Sequence, residues 1–287
     1  MEKKIIVTGG TGFLGRHVIQ ALNNKKVNVI ALVRDKCEAR KINELSESEL
    51  IEYDINNKSK FPDVKGSNKL IHCAWEEVRN TSSCKHITTY LPNHLHFLQN
   101  SIMKGIDKVL ITGSYFEYGS QEGAVNSSQK VDPNTSYAFA KVELHKQMLK
   151  FKLIQKFDLI WARVFHLYGE NQAKDTVLSM FDDALKNQEK IFNMTGGEQL
   201  IDFIPVDEAA EMLVKLFLIA GVHGTFNVCR GKPLKLKDFM IKRMKEKKKK
   251  IILGLGFYDY RATESKGIWG EDSIRNQIKQ VISKKLI

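Results

Sequence analysis

The stretch Lys4-Ile5-Ile6-Val7-Thr8-Gly9-Gly10-Thr11-Gly12-Phe13-Leu14-Gly15 decides the fold that we expect for this chain. Its first four residues are mostly apolar, which predicts a buried strand. Beyond the glycines, apolar residues recur every three to four positions, as on one face of a helix: Leu14, Val18, Ala21 and Leu22. The stretch therefore predicts a strand that leads through a tight glycine turn directly into a helix.

The same alternation of apolar runs and helical patterns continues through the first two-thirds of the chain. Further strands are predicted at residues 27–33, 68–72, 108–112 and 158–163, and a long helix is predicted to begin near Ser136. Strands that alternate with helices are typical of an α/β fold with a doubly wound parallel sheet and helices on both faces.

The last third of the chain is less regular, and we expect it to form a small lobe packed over the sheet. Helices are predicted at residues 176–187 and 207–219, and a strand is predicted at residues 250–253. An amphipathic terminal helix is indicated by Ile274, Ile278, Val281 and Ile282. The expected division is a first domain over residues 1–166, to which residues 203–228 return, and a lobe over residues 167–287.

The composition is that of a globular protein, with 43% hydrophobic and 27% charged residues in 287. The three apolar residues before the glycines are too few for a secretory signal, and the longest later apolar run, 216–220, is too short to span a bilayer. Cys37, Cys73, Cys84 and Cys229 form no CxxC pair, which favours reduced thiols. We therefore expect a cytoplasmic protein with no membrane partner.

The net charge of +12 is concentrated in part in one run, Lys242 to Lys250. Nucleic-acid binding would explain a basic surface, but the run contains no interleaved aromatic residues and no recognisable nucleic-acid motif. A solvated, lysine-rich helix face is the favoured interpretation, so we expect no nucleic-acid partner. A basic balance also suits a protein that binds diphosphate ligands.

The glycine turn is the first candidate binding site. Glycine permits a tight turn and lets a pyrophosphate approach the backbone, while the first N–H groups of the helix and its dipole attract the phosphates. Because the turn lies between a strand and a helix, it predicts that residues 1–166 are a dinucleotide-binding domain. The residues expected to contact the cofactor here are Gly9, Thr11, Gly12, Phe13, Leu14 and Gly15.

The end of the second strand bears on the choice of cofactor. An acidic residue there binds the ribose 2′-hydroxyl of NAD, whereas an arginine accommodates the 2′-phosphate of NADP. The strand ends Leu32-Val33-Arg34-Asp35, which places Arg34 at the expected position and Asp35 too late. We therefore favour NADP(H), with NAD(H) as the alternative. The other interpretation of Arg34 is a solvated loop residue that contacts no ligand.

Tyr137-Ala138-Phe139-Ala140-Lys141 places a tyrosine and a lysine four residues apart on a helix, so that both share one face. Tyrosine has an ordinary pKa near ~10 and is a poor acid–base group at neutral pH. We expect the neighbouring ammonium and a cationic nicotinamide to lower the pKa of Tyr137 toward a useful value.

Taken together, these motifs resemble the extended short-chain dehydrogenase/reductase family, which contains nucleotide-sugar epimerases, dehydratases and reductases. The resemblance covers nearly the whole chain and implies a Rossmann-type sheet with a small C-terminal substrate-binding lobe. It rests on several motifs in order: residues 8–15, 71–74, Asn93, residues 114–119, Pro133, Tyr137 with Lys141, and residues 163–169, 202–207 and 226–228.

The resemblance implies a role for each matching residue. Ser114 would be the active-site hydroxyl, with Thr112 as the fallback, Tyr137 the acid–base residue, and Lys141 the residue that lowers its pKa and holds the nicotinamide ribose. The remaining cofactor-binding residues would be Asp54 and Ile55, which flank the adenine, and Cys73, Ala74, Asn93 and Thr112. The substrate-binding residues would be Trp75, Tyr115, His166, Arg230 and Arg261.

Departures from the family pattern narrow the function. Where 4,6-dehydratases carry an Asp-Glu pair after the hydroxyl, this chain has Tyr115 and Phe116, which argues against dehydration. Ile201 replaces an arginine that contacts phosphate in relatives, so Arg230 or Arg261 would take over the diphosphate. His166 replaces a common asparagine and would either contact the ligand or pack in the core.

His94 and His96 suggest a metal site, but residues two apart on a helix point to different sides, so we expect no metal. The leading hypothesis is NADPH-dependent reduction of a nucleotide-linked 4-keto-6-deoxy sugar, as in bacterial surface-polysaccharide biosynthesis, by a homodimer. The alternatives are an NAD-dependent nucleotide-sugar 4-epimerase and a non-catalytic NADP-binding sensor on the same fold. Sensors of this kind typically lose the tyrosine or the lysine, and this chain keeps both.

Overall fold

The computed structural model describes residues 4–57, 61–64, 66–260 and 266–284. In chain order the strands are β1 (Lys4–Thr8), β2 (Val29–Val33), β3 (Glu49–Glu52), β4 (Ser67–His72), β5 (Lys108–Ser114), β6 (Gly123–Val125), β7 (Asp158–Val164), β8 (His166–Tyr168), β9 (Ile191–Asn193), β10 (Leu200–Ile201), β11 (Phe203–Pro205), β12 (Gly224–Val228), β13 (Leu234–Lys235), β14 (Ile252–Gly254) and β15 (Gly267–Gly270). The helices are α1 (Phe13–Asn23), α2 (Lys36–Ala39), α3 (Leu91–Met103), α4 (Ser136–Phe151), α5 (Val177–Lys186), α6 (Val206–Leu218), α7 (Leu236–Lys247) and α8 (Ile274–Ser283).

Seven strands form one parallel sheet in the order β12-β7-β5-β4-β1-β2-β3. The chain moves outward from β1 to β3 and then resumes on the other side of β1 with β4, so the strand order reverses between β1 and β4. In open α/β sheets, ligands bind in the crevice at the carboxyl ends of the strands at such a point. The predicted doubly wound fold is confirmed, and the glycine turn lies at this crevice because it follows β1.

Helices cover both faces of the sheet, since successive side chains of a buried strand point to opposite faces. Val7 of β1 packs into the core beneath α1, α6 and α8, which includes Leu213. Ile6 packs into the other core, where α3 and α4 contribute Phe97 and Leu144. The sheet is thereby fixed from both sides, and the residues at its carboxyl edge have a rigid base.

The C-terminal lobe has a core of its own, formed by α5, α7 and the strands between them. Phe181 and Phe239 are buried there, and Phe203 stacks on Phe239 with ring centroids 4.1 Å apart. Short strand pairs complete the lobe: β9 with β14, β10 with β13 and β15, and β15 with β6. The strand expected at residues 250–253 is β14, one of these short pairs.

The edge strand β3 was not predicted from the sequence. Its residues read Glu-Leu-Ile-Glu, and both terminal glutamates, Glu49 and Glu52, are exposed. Charged residues are common on edge strands because they discourage pairing with another chain. Because β3 contains only two consecutive apolar residues, the apolar pattern of the sequence does not predict it.

The lysine-rich run begins within α7, where Lys242 lies 3.8 Å from Glu246 and Lys247 lies 3.3 Å from Asp182. Lys242, Glu246 and Lys247 are exposed, whereas Asp182 is partly buried. Among the described residues, no helix is both long enough and apolar enough to cross a bilayer.

Candidate active site

The glycine turn brings β1 against the end of β4. Gly9 has φ +72°, and a Cβ at this position would lie 2.6 Å from the backbone nitrogen of Ala74. The N–H of Gly12 donates to the carbonyl of Gly9 at 2.9 Å, and α1 begins at the next residue, Phe13. The turn is therefore a cradle without side chains at the start of a helix, which fits a pyrophosphate.

Other predicted cofactor residues surround this turn. Cys73 donates its backbone N–H to the carbonyl of Thr8 at 3.2 Å, so Cys73 and Ala74 are brought to the cradle as expected. Desolvation raises the pKa of the Cys73 thiol to about 12, so the thiol is not a nucleophile near pH 7. The sequence reasoning missed Arg16, whose guanidinium donates to the carbonyl of Thr11 at 2.9 Å and could reach the same phosphates.

At the end of β2, Arg34 is exposed, whereas Asp35 caps the helix that follows. One Asp35 carboxylate oxygen accepts hydrogen bonds from the backbone N–H groups of Cys37 at 2.7 Å and Glu38 at 3.0 Å, which caps the short helix α2. Because this carboxylate is engaged in the cap, Arg34 is the freer of the two to meet a ribose substituent.

The predicted adenine residues lie beyond β3. Asp54 accepts from the backbone N–H of Asn56 at 2.9 Å, and Ile55 is buried. Asn93, on α3, donates to the side-chain oxygen of Asn56 at 3.1 Å. Asn93 thus joins α3 to the loop that carries Asp54 and Ile55.

The catalytic candidates meet at the end of β5. Ser114 is the last residue of β5, while Tyr137 lies in the first turn of α4, which is capped by Thr135. The Ser114 hydroxyl acts on the Tyr137 hydroxyl as a hydrogen-bonding neighbour, which acts to lower the pKa of Tyr137. Lys141, one turn further along α4, donates to the carbonyl of Thr112 at 3.0 Å and lies 5.9 Å from the centroid of the Tyr137 ring. The structure therefore brings all three residues together.

Burial governs the charges in this cluster. It lowers the pKa of the Lys141 ammonium to about 7, although Glu117, Cys73 and Glu76 act in the opposite direction. For Tyr137, burial and the charge of Glu117 raise the pKa, and the hydrogen bond from Ser114 opposes them. The expected lowering of the Tyr137 pKa by Lys141 is not found: burial and Glu117 raise that pKa, so Tyr137 is a protonated hydroxyl that can donate.

A buried carboxylate that the sequence reasoning did not assign lies directly beneath Ser114. Glu117 accepts hydrogen bonds from the backbone N–H of Ser114 at 2.8 Å, from Nε1 of Trp161 at 3.0 Å and from Nε of Arg163 at 2.8 Å. A Cβ at Gly113 would collide with the Glu117 carboxylate and the Trp161 indole. Glycine is therefore required at position 113 for this carboxylate to reach the active-site turn.

A second missed network runs behind β4. Thr8 hydrogen-bonds His72 at 2.8 Å, His72 hydrogen-bonds His94 at 2.8 Å, and His94 hydrogen-bonds Glu76 at 2.9 Å. His96 is exposed and bonds Asn100, so the two histidines lie on different sides of α3. No group of three metal-ligating side chains occurs within the described ranges.

Among the expected substrate residues, Tyr115 and His166 form one aromatic wall with ring centroids 4.3 Å apart. Burial lowers the pKa of His166 to about 4, so its ring is neutral near pH 7. Its Nδ1 is buried and has no protein partner. An unpaired buried nitrogen is costly, which favours contact with a ligand over the alternative of a hydrogen-bonded core histidine.

The other expected substrate-binding residues are Trp75, Arg230 and Arg261. Trp75 contacts the catalytic cluster itself, with its ring 4.0 Å from Nζ of Lys141. Nε of Arg230 donates to Glu208 at 2.9 Å, so a diphosphate at this position would have to compete with an ion pair. Arg261 lies outside the described residues.

Several known proteins are similar to this chain over most of its length. The chain is 27% identical to a dTDP-6-deoxy-L-talose 4-dehydrogenase (NAD(+)) of Aggregatibacter actinomycetemcomitans, over 93% of this chain and 98% of the relative. It is 24% identical to a CDP-abequose synthase of Salmonella typhimurium, over 84% and 80% of the two chains.

Among solved structures, it resembles MoeE5 in complex with UDP-glucuronic acid and NAD, with a TM-score of 0.80, 20% identity, and coverage of 98% of this chain and 92% of that one. Residues 5–229 match the NAD dependent epimerase/dehydratase family, and the chain belongs to that family.

Proposed function

We propose that the protein reduces the C4 carbonyl of a nucleotide-linked 4-keto-6-deoxy sugar. The observation that carries this proposal is that Tyr137, which burial keeps protonated, is buried together with Ser114 and Lys141 at the carboxyl edge of the sheet. A proton donor paired with a second hydroxyl is suited to receive a carbonyl oxygen and protonate it. The relative named as a 4-dehydrogenase of a 6-deoxy sugar supports the same position on the sugar, since oxidation and reduction at C4 are one reaction in two directions.

A nicotinamide dinucleotide bound at the glycine cradle of residues 9–15 would supply the hydride that C4 accepts. Ser114 hydrogen-bonds the C4 oxygen and orients the carbonyl. Tyr137 donates its proton to the same oxygen as negative charge develops there, and the hydroxyl product results. Lys141, as the ammonium, holds the ribose and stabilises the phenolate that Tyr137 leaves behind.

The two residues that follow Ser114, Tyr115 and Phe116, argue against dehydration. Removing water between C5 and C6 needs an acid and a base beside the sugar. Burial raises the pKa of Tyr115, and Phe116 carries no proton to exchange. We therefore assign the site to hydride and proton transfer alone.

For the cofactor we propose NADP(H), supported by the exposed Arg34 and by the use of Asp35 as a helix cap. The 4-dehydrogenase described above is named with NAD(+), and MoeE5 was solved with NAD; these two relatives favour the alternative, NAD(H). We also propose a homodimer through α3 and α4, supported by exposed apolar side chains on them, Met103, Phe139 and Leu149. Light scattering of the purified protein at micromolar concentration should give twice the mass of the chain; a monomer would refute the pairing.

The proposed reaction is tested by incubating the protein with dTDP- and CDP-linked 4-keto-6-deoxy sugars and NADPH or NADH. We expect loss of absorbance at 340 nm in proportion to product, and we expect Tyr137→Phe to abolish it. Tyr90→Phe, a second largely buried tyrosine outside the site, is the matched control and should retain activity. Tightly bound NAD without net consumption would instead identify a 4-epimerase, and turnover by Tyr137→Phe equal to that of the wild type would overturn the proposal.

A further inference from the structure

Trp75 is a half-buried indole that contacts the catalytic lysine. Nζ of Lys141 lies 4.0 Å from the centroid of the Trp75 ring, closer than the 5.9 Å that separates it from the Tyr137 ring. A cation over an aromatic face is stabilised by the ring quadrupole, and the effect is larger where water is excluded. Lys141 is almost fully buried, so its ammonium has little water to replace this contact.

The indole is fixed by a hydrogen bond to a buried histidine. Nε1–H of Trp75 donates to Nδ1 of His86 at 3.1 Å. The other His86 nitrogen, Nε2, bonds the carbonyl of Asn80 at 2.9 Å. Because a carbonyl can only accept, Nε2 carries the proton and Nδ1 is the acceptor that the indole requires.

The ring is also stacked on His94, with centroids 4.5 Å apart and planes inclined by 28°. His94 is itself held in one orientation. The Glu76 carboxylate can only accept, so Nε2 of His94 donates to it at 2.9 Å, and Nδ1 of His94 accepts from Nε2 of His72 at 2.8 Å. The remaining nitrogen, Nδ1 of His72, then accepts from the hydroxyl of Thr8 at 2.8 Å.

The pKa shifts of these hydrogen-bonded residues agree with the donors and acceptors assigned to them. Burial lowers the pKa of both His72 and His94, which favours the neutral form of each ring. Burial acts to raise the pKa of Glu76, but the hydrogen bonds from His94 and Asn56 prevail and lower it to about 2. The hydrogen-bonded residues behind Trp75 therefore end at Thr8, the last residue of β1 before the glycine cradle.

We propose that Trp75 is a positioning residue for Lys141, and that the His94 stack and the His86 hydrogen bond hold its indole face under the ammonium. This inference rests on the proposed function, in which the Lys141 ammonium holds the ribose of the cofactor. It assigns a role to the tryptophan that follows Cys73-Ala74 and to the buried histidines, which the reaction itself does not use.

The test is the pH dependence of dinucleotide affinity without any sugar, measured by titration calorimetry with NADPH and NADH from pH 6 to pH 9. The charged or titratable groups that face Lys141 are common to every variant: Cys73, Glu76, His72, His94, Glu117 and Tyr137. Trp75→Phe and Trp75→Met leave side chains of similar size, so they share any cavity effect and differ in the aromatic face.

We expect the affinity of the wild type to fall as the pH rises and the ammonium is lost. In Trp75→Met the midpoint should move down by about one pH unit, equivalent to a tenfold loss of preference for the charged form. Trp75→Phe should lie between Trp75→Met and the wild type. Trp269→Leu, a half-buried tryptophan in β15, should keep the wild-type midpoint.

The proposal is overturned if both variants keep the wild-type midpoint and lose affinity by the same factor at every pH, since that is the effect of a cavity alone. It is also overturned if the wild-type affinity does not change with pH. Because no sugar is present, these outcomes are independent of the proposed reaction: a protein that shows the expected midpoints but reduces no sugar contradicts the proposed function and leaves the role of Trp75 standing.

Discussion

The carboxylate of Glu117 accepts a hydrogen bond of 2.8 Å from the backbone N–H of Ser114. The side chain of Ser114 in turn accepts from the N–H of Phe116 at 3.2 Å, so a reciprocal cap closes the turn that follows β5. The active-site hydroxyl is therefore held by a charge that lies in the core and faces Arg163.

Glu117→Gln should destabilise the protein by about 3 kcal/mol, as expected when one partner of a buried ion pair is removed. Glutamine can still accept from Ser114 and Trp161, so the loss would report the uncompensated charge of Arg163. The measurement is the free energy of unfolding in urea. Glu211→Gln, on the exposed face of α6, is the control and should change little.

A double variant separates charge from shape. Glu117→Gln with Arg163→Met removes both charges and should be less destabilised than the sum of the two single changes. If Glu117→Gln lies within about 0.5 kcal/mol of the wild type, the pair contributes no stability and this account of the turn is wrong.

Lys141→Met should stabilise the fold at neutral pH while abolishing activity. Folding lowers the pKa of Lys141 from 10.5 to about 7. Between these values the unfolded chain holds a proton that the folded chain has lost, so wild-type stability rises with pH from about 7 to 10.5.

Because each pKa unit corresponds to about 1.4 kcal/mol, the methionine variant should be more stable than the wild type by a few kcal/mol at pH 7. The gain should shrink steadily and vanish near pH 10.5. Lys146→Met, on the exposed side of the same helix, should show no such trend. Unfolding curves at pH 7, 8.5 and 10 provide the check, and a difference that does not vary with pH would contradict the assigned ionisation.

Arg34→Ala should distinguish the two cofactors. If the guanidinium binds a 2′-phosphate, the variant loses affinity for NADPH by roughly tenfold or more, as for a lost charge-assisted hydrogen bond, and keeps its affinity for NADH. Arg40→Ala, at the far end of α2, is the control. Equal affinities of the wild type for the two dinucleotides, or an equal loss in both, would remove NADP(H) from the proposal.

The parts of the site that sequence predicts are those set by local geometry. Tyr137 and Lys141 share a helix face because of helical periodicity, and Gly9 and Gly15 lie close together because the turn leads from β1 directly into α1. Such relationships need no knowledge of how distant segments pack. The doubly wound sheet follows in the same way, from the order of its elements.

The parts that were missed depend on contacts between distant segments. Glu117 meets Trp161 across 44 residues, and His72 meets His94 across 22. In the sequence, Glu117 follows Tyr115 and Phe116 with no sign that it is buried, and His94 was considered only as a metal ligand. A glutamate just after the end of β5, together with Arg163 near the end of the neighbouring strand β7, is the sequence signal that could have revealed the first network.

His166→Phe should weaken binding of the nucleotide sugar without affecting the dinucleotide. Phenylalanine keeps the ring against Tyr115 but removes Nδ1, the buried nitrogen that has no protein partner. Loss of one hydrogen bond to substrate should raise the KM for the sugar about 5- to 10-fold and change kcat little.

The effect of His166→Phe should not depend on pH between pH 6 and pH 8. Because the pKa of His166 is about 4, its ring stays neutral over that range, so the KM of the variant divided by the KM of the wild type should be constant. His223→Phe, an exposed histidine remote from the wall, is the matched control. An unchanged KM in His166→Phe would show that His166 only packs against its neighbours, and the wall formed with Tyr115 would then have to hold the sugar through its apolar surface alone.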